Sequence, residues 1–150
     1  MHVLQTCPTL RQNRIRRHDE LAKLITRWCL ENRHTVMTEP RIPVGHTYIK
    51  PDFVIRVGNE IKVIDLCVPY ETGGNALARA EQAKVEKYRQ YNLEICRFVE
   101  ANEELGRAGG RPSYHGIAIG ARGGIRPATR RLLSTLGIRR QGVHRLCRGQ

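Results

Sequence analysis

The sequence predicts an α/β fold in which one mixed sheet is flanked by helices, in the order helix, strand, strand, strand, helix, strand, helix. Three observations lead to this fold class. Residues 19–31 and 76–91 carry apolar side chains at helical spacing, residues 53–57 and 61–68 are rich in β-branched side chains, and residues 114–120 form a short apolar segment ahead of another helix. With 150 residues, 40% of them hydrophobic, the chain can bury the core of one domain.

The first helix is predicted to begin at Asp19-Glu20, because acidic residues favour a helix start. Its apolar residues then recur every three or four positions: Leu21, Leu24, Ile25, Trp28 and Cys29. Residues 35–42 predict a strand that ends at Pro43, and residues 44–50, which include Gly45, predict a loop.

The two central strands are separated by Gly58-Asn59, a two-residue hairpin turn. Such a turn pairs position 57 with 60, 55 with 62 and 53 with 64, so that Asp52 faces Asp65. Opposed residues have Cβ atoms about 4.5 to 5.5 Å apart, and like charges at that distance destabilise a sheet. A compensating positive charge is therefore expected beside these two carboxylates.

A second amphipathic helix is predicted from Ala76 to Tyr91, with an inward stripe that includes Leu77, Ala80, Lys84 and Tyr88. Residues 93–104 fit either a continuation of this helix or a strand, and both alternatives stay open at this point. The remaining elements are a loop, a buried strand and a helix, predicted at residues 106–112, 114–120 and 129–136.

The chain is strongly basic, with 26 Lys and Arg against 14 Asp and Glu and a formal net charge of +12. The excess lies in the outer thirds, +5 in residues 1–50 and +8 in residues 101–150, whereas residues 51–100 carry −1. Because 21 of the basic residues are Arg, which binds phosphates in a bidentate manner, nucleic acid is the predicted partner. The apolar runs are too short to cross a bilayer, so we expect no membrane association. Five scattered cysteines and no secretion signal favour a reducing compartment.

The facing carboxylates are candidate metal ligands. Asp65 lies inside an apolar run, where an unpaired carboxylate is costly. A cation shared with Asp52 would offset the repulsion, and Mg²⁺ is typically held by one or two carboxylates with water and phosphate oxygens. The alternative is that both side chains are solvated at strand ends. Phosphodiester cleavage also needs a cation near the phosphate. Lys84 lies on the inward side of the second predicted helix and suits that role better than Lys87, which lies on the outer side.

Several motifs stand along the chain: Lys50-Pro51-Asp52, the twelve-residue gap to Asp65, Lys84-x-x-Lys87-Tyr88, Arg14-x-x-Arg17-His18-Asp19, Glu39-Pro40 and Ala121-Arg122-Gly123-Gly124. Together they resemble the C-terminal restriction-like endonuclease domain of site-specific non-LTR retrotransposons, a member of the PD-(D/E)XK nuclease superfamily. The resemblance implies a restriction-endonuclease-like core. Cys67 departs from the wider superfamily, which usually has a lysine at this position.

The resemblance also implies an activity. In that family the domain is a Mg²⁺-dependent DNA endonuclease, for which Mn²⁺ is an expected substitute, and it nicks target-site DNA so that a reverse transcriptase elsewhere in the polyprotein can prime from the freed 3′ end. Carried onto this sequence, Asp52 and Asp65 are metal ligands, the backbone carbonyl of Leu66 is a third, and Lys84 is the catalytic lysine, displaced from the strand to the helix. The accessory candidates are Lys87, Tyr88 and Glu39.

The family carries a zinc knuckle just upstream, and His2-x₄-Cys7 has the spacing of its second half. Two ligands cannot close a tetrahedral Zn²⁺ site, so we expect Zn²⁺ only where the full knuckle is present. The expected organisation is a knuckle remnant and linker at residues 1–13, the nuclease domain at 14–138, and a basic tail or helix at 139–150. Reverse transcriptase motifs belong to the parent polyprotein.

Candidate contacts to DNA phosphates lie on the basic flanks: Arg14, Arg17, His18, Arg122, Arg126 and Arg130. The expected partners are double-stranded target DNA and, in the parent polyprotein, the element RNA and the reverse transcriptase domain. The implied location is the nucleus, and homodimer formation is left open. Two other functions stay open as well: a catalytically inactive basic DNA-binding module and a ribosomal-type basic protein.

Overall fold

A computed structural model describes residues 8–71, 73–106 and 111–148 of the chain. The strands are β1 (Thr35–Thr38), β2 (Ile42–Val44), β3 (Thr47–Ile49), β4 (Phe53–Val57), β5 (Glu60–Cys67) and β6 (Ser113–Ala118). The helices are α1 (Pro8–Glu31), α2 (Ala76–Arg89), α3 (Asn92–Ala101), α4 (Glu103–Gly106), α5 (Pro127–Thr135) and α6 (Arg140–Arg148).

The central sheet has four strands in the order β1-β4-β5-β6. The pairs β1-β4 and β4-β5 are antiparallel and β5-β6 is parallel, so the predicted mixed sheet is confirmed. The predicted hairpin register is also confirmed: Phe53 pairs with Ile64, Ile55 with Lys62 and Val57 with Glu60. The strands β2 and β3 form a separate antiparallel hairpin.

Helices cover both faces of the sheet. Successive side chains of a strand point to opposite faces, and in this sheet both faces carry apolar side chains that need a cover. One face packs against α1, α5 and α6, in a core that includes Leu21, Ile25, Phe53, Ile64, Leu66, Leu133 and Leu146. The other face packs against α2 and α3, in a core that includes Val54, Ile61, Val63, Tyr88, Ile95 and Val99. Each such side chain contributes about 1.5 to 3 kcal/mol when fully buried, so the two layers fix both helical faces to the sheet.

The first helix is longer than the sequence predicted, since it begins at Pro8 and not at Asp19. Residues 11–19 are mostly exposed and polar, so the hydrophobic periodicity used to place the helix start is missing there. Four basic residues ahead of the predicted start therefore lie on the helix: Arg11, Arg14, Arg16 and Arg17. The helix also runs across the boundary predicted between residues 13 and 14.

The segment from residue 35 to 50 was predicted as one strand and a loop, and the structure corrects both. Glu39 has a φ of 48°, which ends β1, and the chain resumes in β2 at Ile42. The expected loop is instead the turn and second strand of a hairpin, with Gly45 at a φ of 58° in the turn. Strands of three residues are too short for an alternating pattern to be recognised in a sequence.

In the second half, α2, β6 and α5 occur where the sequence predicted a helix, a strand and a helix. The open alternative at residues 93–104 is settled as helix by α3, and the basic segment after residue 138 contains α6. The predicted loop at 106–112 lies mostly outside the described residues. Among the helices that the structure describes, none is long and apolar enough to span a membrane.

Candidate active site

Two carboxylates meet at the open end of the β4-β5 ladder, as the hairpin register predicted. Asp52 lies one residue before β4, and its backbone N–H donates to Asp65 Oδ1 at 2.9 Å. The backbone N–H of Leu66 in turn donates to Asp52 Oδ2 at 2.7 Å. Each carboxylate therefore accepts a main-chain hydrogen bond from the opposite strand, which holds the two side chains next to each other in spite of their like charge.

A cation reaches each carboxylate from a different helical layer. Lys84 Nζ of α2 lies 2.7 Å from Asp65 Oδ2, so the predicted inward position of Lys84 is confirmed. From the other face of the sheet, His18 Nε2 of α1 lies 3.1 Å from Asp52 Oδ2. The four side chains form a continuous series, His18, Asp52, Asp65 and Lys84, at the point where both layers meet the end of the sheet.

The pKa values of the two carboxyls are shifted in opposite directions. Burial alone would raise the pKa of Asp52, but hydrogen bonds from His18 and Leu66 outweigh it, so the pKa lies below its ordinary value. The pKa of Asp65 is raised by burial and by the Asp52 charge, against the pull of Lys84. Asp52 thus carries the firmer negative charge of the pair.

The carboxylates raise the pKa values of the two cationic side chains, His18 and Lys84. Hydrogen bonding to Asp52 raises the pKa of His18 to about 9. Burial lowers the pKa of Lys84, but its bond to Asp65 outweighs this effect and the pKa rises, so Lys84 is a cation at neutral pH and not a base. The opposite charges of the four groups therefore offset one another.

These groups line a cleft of about 430 Å³ between the N-terminal half of α1 and the C-terminal half of α2. Tyr88 and Lys87 also line it: the hydroxyl of Tyr88 donates to the carbonyl of Lys50 at 3.4 Å, and Lys87 is exposed with its Nζ over the Tyr88 ring. Cys67 borders the same cleft, and burial raises its thiol pKa to about 11. A protonated thiol cannot replace a lysine, which leaves Lys84 as the cation beside Asp65.

Glu39 supports the site from the outside. Its backbone N–H donates to the carbonyl of Asp52 at 2.9 Å, and its exposed carboxylate lies 3.8 Å from Lys50 Nζ. The left-handed φ of Glu39 is uncommon for a residue with a side chain, and it turns the chain away from β1 directly after this hydrogen bond. Glu39 therefore contacts the backbone of Asp52 and not the carboxylate pair.

The position of Lys84 depends on contacts that the sequence analysis missed. Glu81, one helical turn earlier on α2, is 7% exposed and accepts bonds from Arg126 and from Thr129 of α5. Gly116 of β6 lies directly under it, where an added Cβ would be 2.6 Å from the Glu81 carbonyl oxygen. This close packing of α2 against β6 sets how far Lys84 stands from Asp65.

The role of His18 was also missed, although a signal for it exists. His18 was assigned to DNA phosphates, but it lies three, four and seven residues before the inward-facing Leu21, Ala22 and Ile25, on the same side of α1. Extending the helical period one turn back from Leu21 would have placed it against the sheet.

The other predicted DNA contacts divide into two groups. Three of them bond within the protein: Arg17 to the carbonyls of Leu146 and Cys147, Arg126 to Glu81, and Arg14, which also borders the cleft, to the carbonyl of Val68. The other two, Arg122 and Arg130, line a separate groove. The predicted zinc remnant, His2 and Cys7, lies outside the described residues.

The donor set suits Mg²⁺. Within the described residues no group of three or more His, Cys, Asp and Glu side chains is arranged to hold a metal, so the side-chain ligands would be the two aspartates. The Leu66 N–H points toward Asp52, and in an antiparallel ladder the carbonyl of a residue points to the same edge as its N–H. Two carboxylates and one carbonyl leave positions for water and phosphate oxygens, the coordination that Mg²⁺ prefers.

Comparison with known proteins places this site in a broader context. The chain is 40% identical over 126 residues to the "Retrovirus-related Pol polyprotein from type-1 retrotransposable element R2" of Popillia japonica, a match that covers 81% of the chain. It is 31% identical over 137 residues, or 91% of the chain, to the polyprotein of the same description from Nasonia vitripennis. The chain is homologous to a segment of R2 retrotransposon Pol polyproteins.

A third R2 relative is more distant. The "Retrovirus-related Pol polyprotein from type-2 retrotransposable element R2DM" of Drosophila melanogaster is 28% identical over 124 residues. The chain spans 16%, 13% and 11% of the lengths of these three R2 polyproteins. No protein-family model matches the chain. The predicted origin in a retrotransposon polyprotein is therefore confirmed.

Proposed function

We propose that the chain is a Mg²⁺-dependent DNA endonuclease that nicks target-site DNA during R2-type retrotransposition. The observation that carries the proposal is the convergence of Asp52, Asp65 and Lys84 in one cleft, with Lys84 Nζ 2.7 Å from Asp65 Oδ2. These groups come from a strand entrance, a strand and a helix, so their meeting is a property of the fold and not of neighbouring positions in the sequence.

Asp52, Asp65 and the Leu66 carbonyl would hold Mg²⁺, which Mn²⁺ would replace. The cation would supply Lewis acidity to a phosphate oxygen and lower the pKa of a coordinated water. Hydrolysis breaks the bond between phosphorus and the 3′ oxygen of one nucleotide. The oxygen of water forms the new bond to phosphorus, and the 3′ oxygen leaves as a hydroxyl after taking up a proton. The product is a nick with a free 3′-OH.

The side chains of the protein have separate tasks in this proposal. Lys84 is protonated and offsets the negative charge that develops on the phosphate, which is the largest single contribution in many such reactions. His18 holds Asp52 through its bond to Oδ2 and keeps that carboxylate turned toward Asp65. Arg11, Arg14 and Lys87 border the cleft and would contact phosphates on either side of the scissile bond.

The wider setting follows from the R2 relatives. In a polyprotein that also contains a reverse transcriptase, a free 3′-OH on target DNA is a primer, so the partners would be double-stranded DNA, the element RNA and the polymerase domain. Chromosomal target DNA makes the nucleus the place of action. Zn²⁺ would be needed only with a complete upstream knuckle.

The proposal is tested by the conversion of supercoiled plasmid to open circles. The wild-type chain should nick in Mg²⁺ or Mn²⁺ and not in EDTA, and Asp52→Asn and Asp65→Asn should each lower the rate at least about a hundredfold because they remove metal ligands. Glu86→Gln is the matched control, since it replaces an exposed carboxylate on α2 that lies outside the cleft. The Glu86→Gln protein should nick at the wild-type rate.

Two further measurements show whether a loss of nicking comes from unfolding or from lost DNA binding. Circular dichroism should show that the Asn variants fold, and fluorescence anisotropy should show that they still bind duplex DNA. Normal nicking by both variants would refute the assignment of Asp52 and Asp65. If the wild-type chain binds DNA and never nicks it in Mg²⁺ or Mn²⁺, the chain is an inactive DNA-binding module.

A further inference from the structure

A second concave surface lies apart from the catalytic cleft, between the loop that follows β6, helix α5 and helix α6. We call it the C-terminal groove, and its volume is about 760 Å³. The basic side chains that line it are Arg122, Arg130, Arg140, His144 and Arg148. Among the described residues that line this groove, none is acidic.

The charges of this groove have no acidic partners. The sequence from Leu105 to Gln150 contains ten arginines and neither Asp nor Glu. All 14 acidic residues lie in the part of the chain that the structure describes, and none of their ion pairs involves Arg122, Arg130, Arg140 or Arg148. Arg140, His144 and Arg148 recur every four residues on α6, so their side chains lie on one side of the helix. An anionic ligand would provide the counter-charge that the arginines of this groove lack.

The groove is held in shape by close backbone packing. Gly123 has a φ of 91°, and a Cβ at this position would lie 2.5 Å from the carbonyl oxygen of Cys147. Only glycine allows this contact between the loop and the last turn of α6, and the contact places Arg122 across the groove from α6. Val143 is buried beneath it and anchors α6 to the core.

The groove is also tied to the catalytic cleft through α1. Arg17 donates to the carbonyls of Leu146 and Cys147 at 2.9 and 3.0 Å, which satisfies groups at the end of α6. The next residue, His18, is bonded to Asp52 in the cleft. Adjacent residues of one helix therefore contact α6, which lines the groove, and Asp52, which lines the cleft.

We propose that the C-terminal groove binds the phosphodiester backbone of the duplex DNA that flanks the scissile phosphate. This inference rests on the proposed nuclease function, which supplies the duplex in the cleft. Guanidinium groups spread along a groove suit a chain of phosphates and not one small anion, and contacts to phosphate fix position without reading sequence. The groove therefore adds affinity that depends on duplex length and on salt.

The test compares two double variants by fluorescence anisotropy in EDTA, where no cleavage can occur. Arg140→Gln with Arg148→Gln removes two charges from the groove. Arg131→Gln with Arg145→Gln removes two exposed charges from α5 and α6 that do not line it, and is the matched control. Each protein is titrated with a duplex of about 10 base pairs, one helical turn, and with one of about 30 base pairs.

The groove variant should bind the long duplex at least about tenfold more weakly than wild type, with a salt slope smaller by about two. Its affinity for the short duplex should change less than about threefold, as should that of the control for both duplexes. Equal losses in the two variants, or no loss in the groove variant, would overturn the proposal. So would a larger loss for single-stranded RNA than for duplex DNA, because the groove would then be an RNA site.

The outcome is separable from that of the nuclease proposal. Binding is measured in EDTA without any cleavage, so the length dependence does not rely on nicking activity. If the length-dependent binding is observed and nicking never is, the groove stands and the nuclease assignment falls. Circular dichroism of both double variants shows whether any loss comes from unfolding.

Discussion

The catalytic cleft and the C-terminal groove are both built from charged side chains, and they differ in how those charges are partnered. In the cleft, His18, Asp52, Asp65 and Lys84 contact one another at 2.7 to 3.1 Å or through backbone N–H groups. In the groove, Arg140 and Arg148 have no acidic partner. The charges of the cleft are thus paired within the protein, whereas the arginines of the groove have no acidic counterpart among the described residues.

This difference decides what each charge does for the protein. A half-buried ion in the cleft is part of the folded structure, and removing its partner leaves a charge that is costly to bury. An exposed arginine in the groove adds little to stability and is free to bind phosphate. Substitutions should therefore affect stability and catalysis in the cleft, and DNA affinity in the groove.

Lys84→Met should have the largest effect on the activity and stability of the cleft. It keeps the length of the side chain and removes only its charge. We expect the nicking rate to fall at least about a hundredfold, since charge stabilisation at the phosphate is lost. We also expect a loss of about 1 to 3 kcal/mol in the free energy of unfolding, because Asp65, 4% exposed, loses its cation. Plasmid nicking and urea unfolding measure the two effects.

Lys87→Met is the control for that substitution, since Lys87 is exposed and lies on the same helix. Its stability should be unchanged and its nicking rate should fall less than about tenfold. If Lys87→Met were the more damaging of the two, the catalytic lysine would have been assigned to the wrong position.

Gly116→Ala should separate the cleft charges without removing any of them. The new methyl group would lie 2.6 Å from the carbonyl oxygen of Glu81, so α2 must move away from β6 and carry Lys84 with it. Overpacking of this kind costs about 1 to 3 kcal/mol, measurable in urea, and nicking should decline while DNA binding is kept. Gly74→Ala, where a Cβ meets no atom within 4 Å, is the control. Wild-type nicking by a destabilised Gly116→Ala protein would show that the α2 position does not set the activity.

Lys84 and Gly116 also show which parts of the site the sequence could predict and which it could not. The facing of Asp52 and Asp65 follows from a two-residue turn, and the inward side of Lys84 follows from helical spacing, so both are local properties. The clamp of Glu81 by Arg126 and Thr129 joins residues more than forty positions apart, and no local pattern reports it. The same holds for the contact of Gly116 with α2. The early start of α1 was missed because residues 9–19 lack an apolar stripe.

His115 provides a titratable group that belongs to neither region. Burial lowers its pKa from 6.5 to about 4, with Lys62 adding to the effect. Between those two pH values the unfolded chain takes up a proton that the folded chain does not, so stability should fall as pH decreases from about 6.5 to 4 and be constant for this group above 6.5. Because His115 is only half-buried, solvent screening reduces the loss to about 1 to 2 kcal/mol. In His115→Gln the decline over this window should be shallower, whereas in the exposed His46→Gln it should match wild type.

The smallest expected effect concerns the stability of the groove variant. Arg140→Gln with Arg148→Gln removes two positive charges with no acidic partners from a chain of net charge +12, so the free energy of unfolding should change by less than about 0.5 kcal/mol, and any change should be an increase. Urea unfolding at low salt is the most sensitive measurement, because screening weakens the repulsion. A loss above about 1 kcal/mol would mean that these arginines are structural, and the contrast with the cleft would fail.

The central claim is that Asp52 and Asp65 form the metal-dependent catalytic centre. It is tested most directly by the single-turnover nicking rate of Asp65→Asn against wild type in Mg²⁺, at a DNA concentration that saturates both proteins. We expect a rate at least about a hundredfold lower with unchanged DNA affinity, because Asn keeps the shape of Asp65 and removes the charge that binds the cation. A folded Asp65→Asn protein that nicks at the wild-type rate would contradict it.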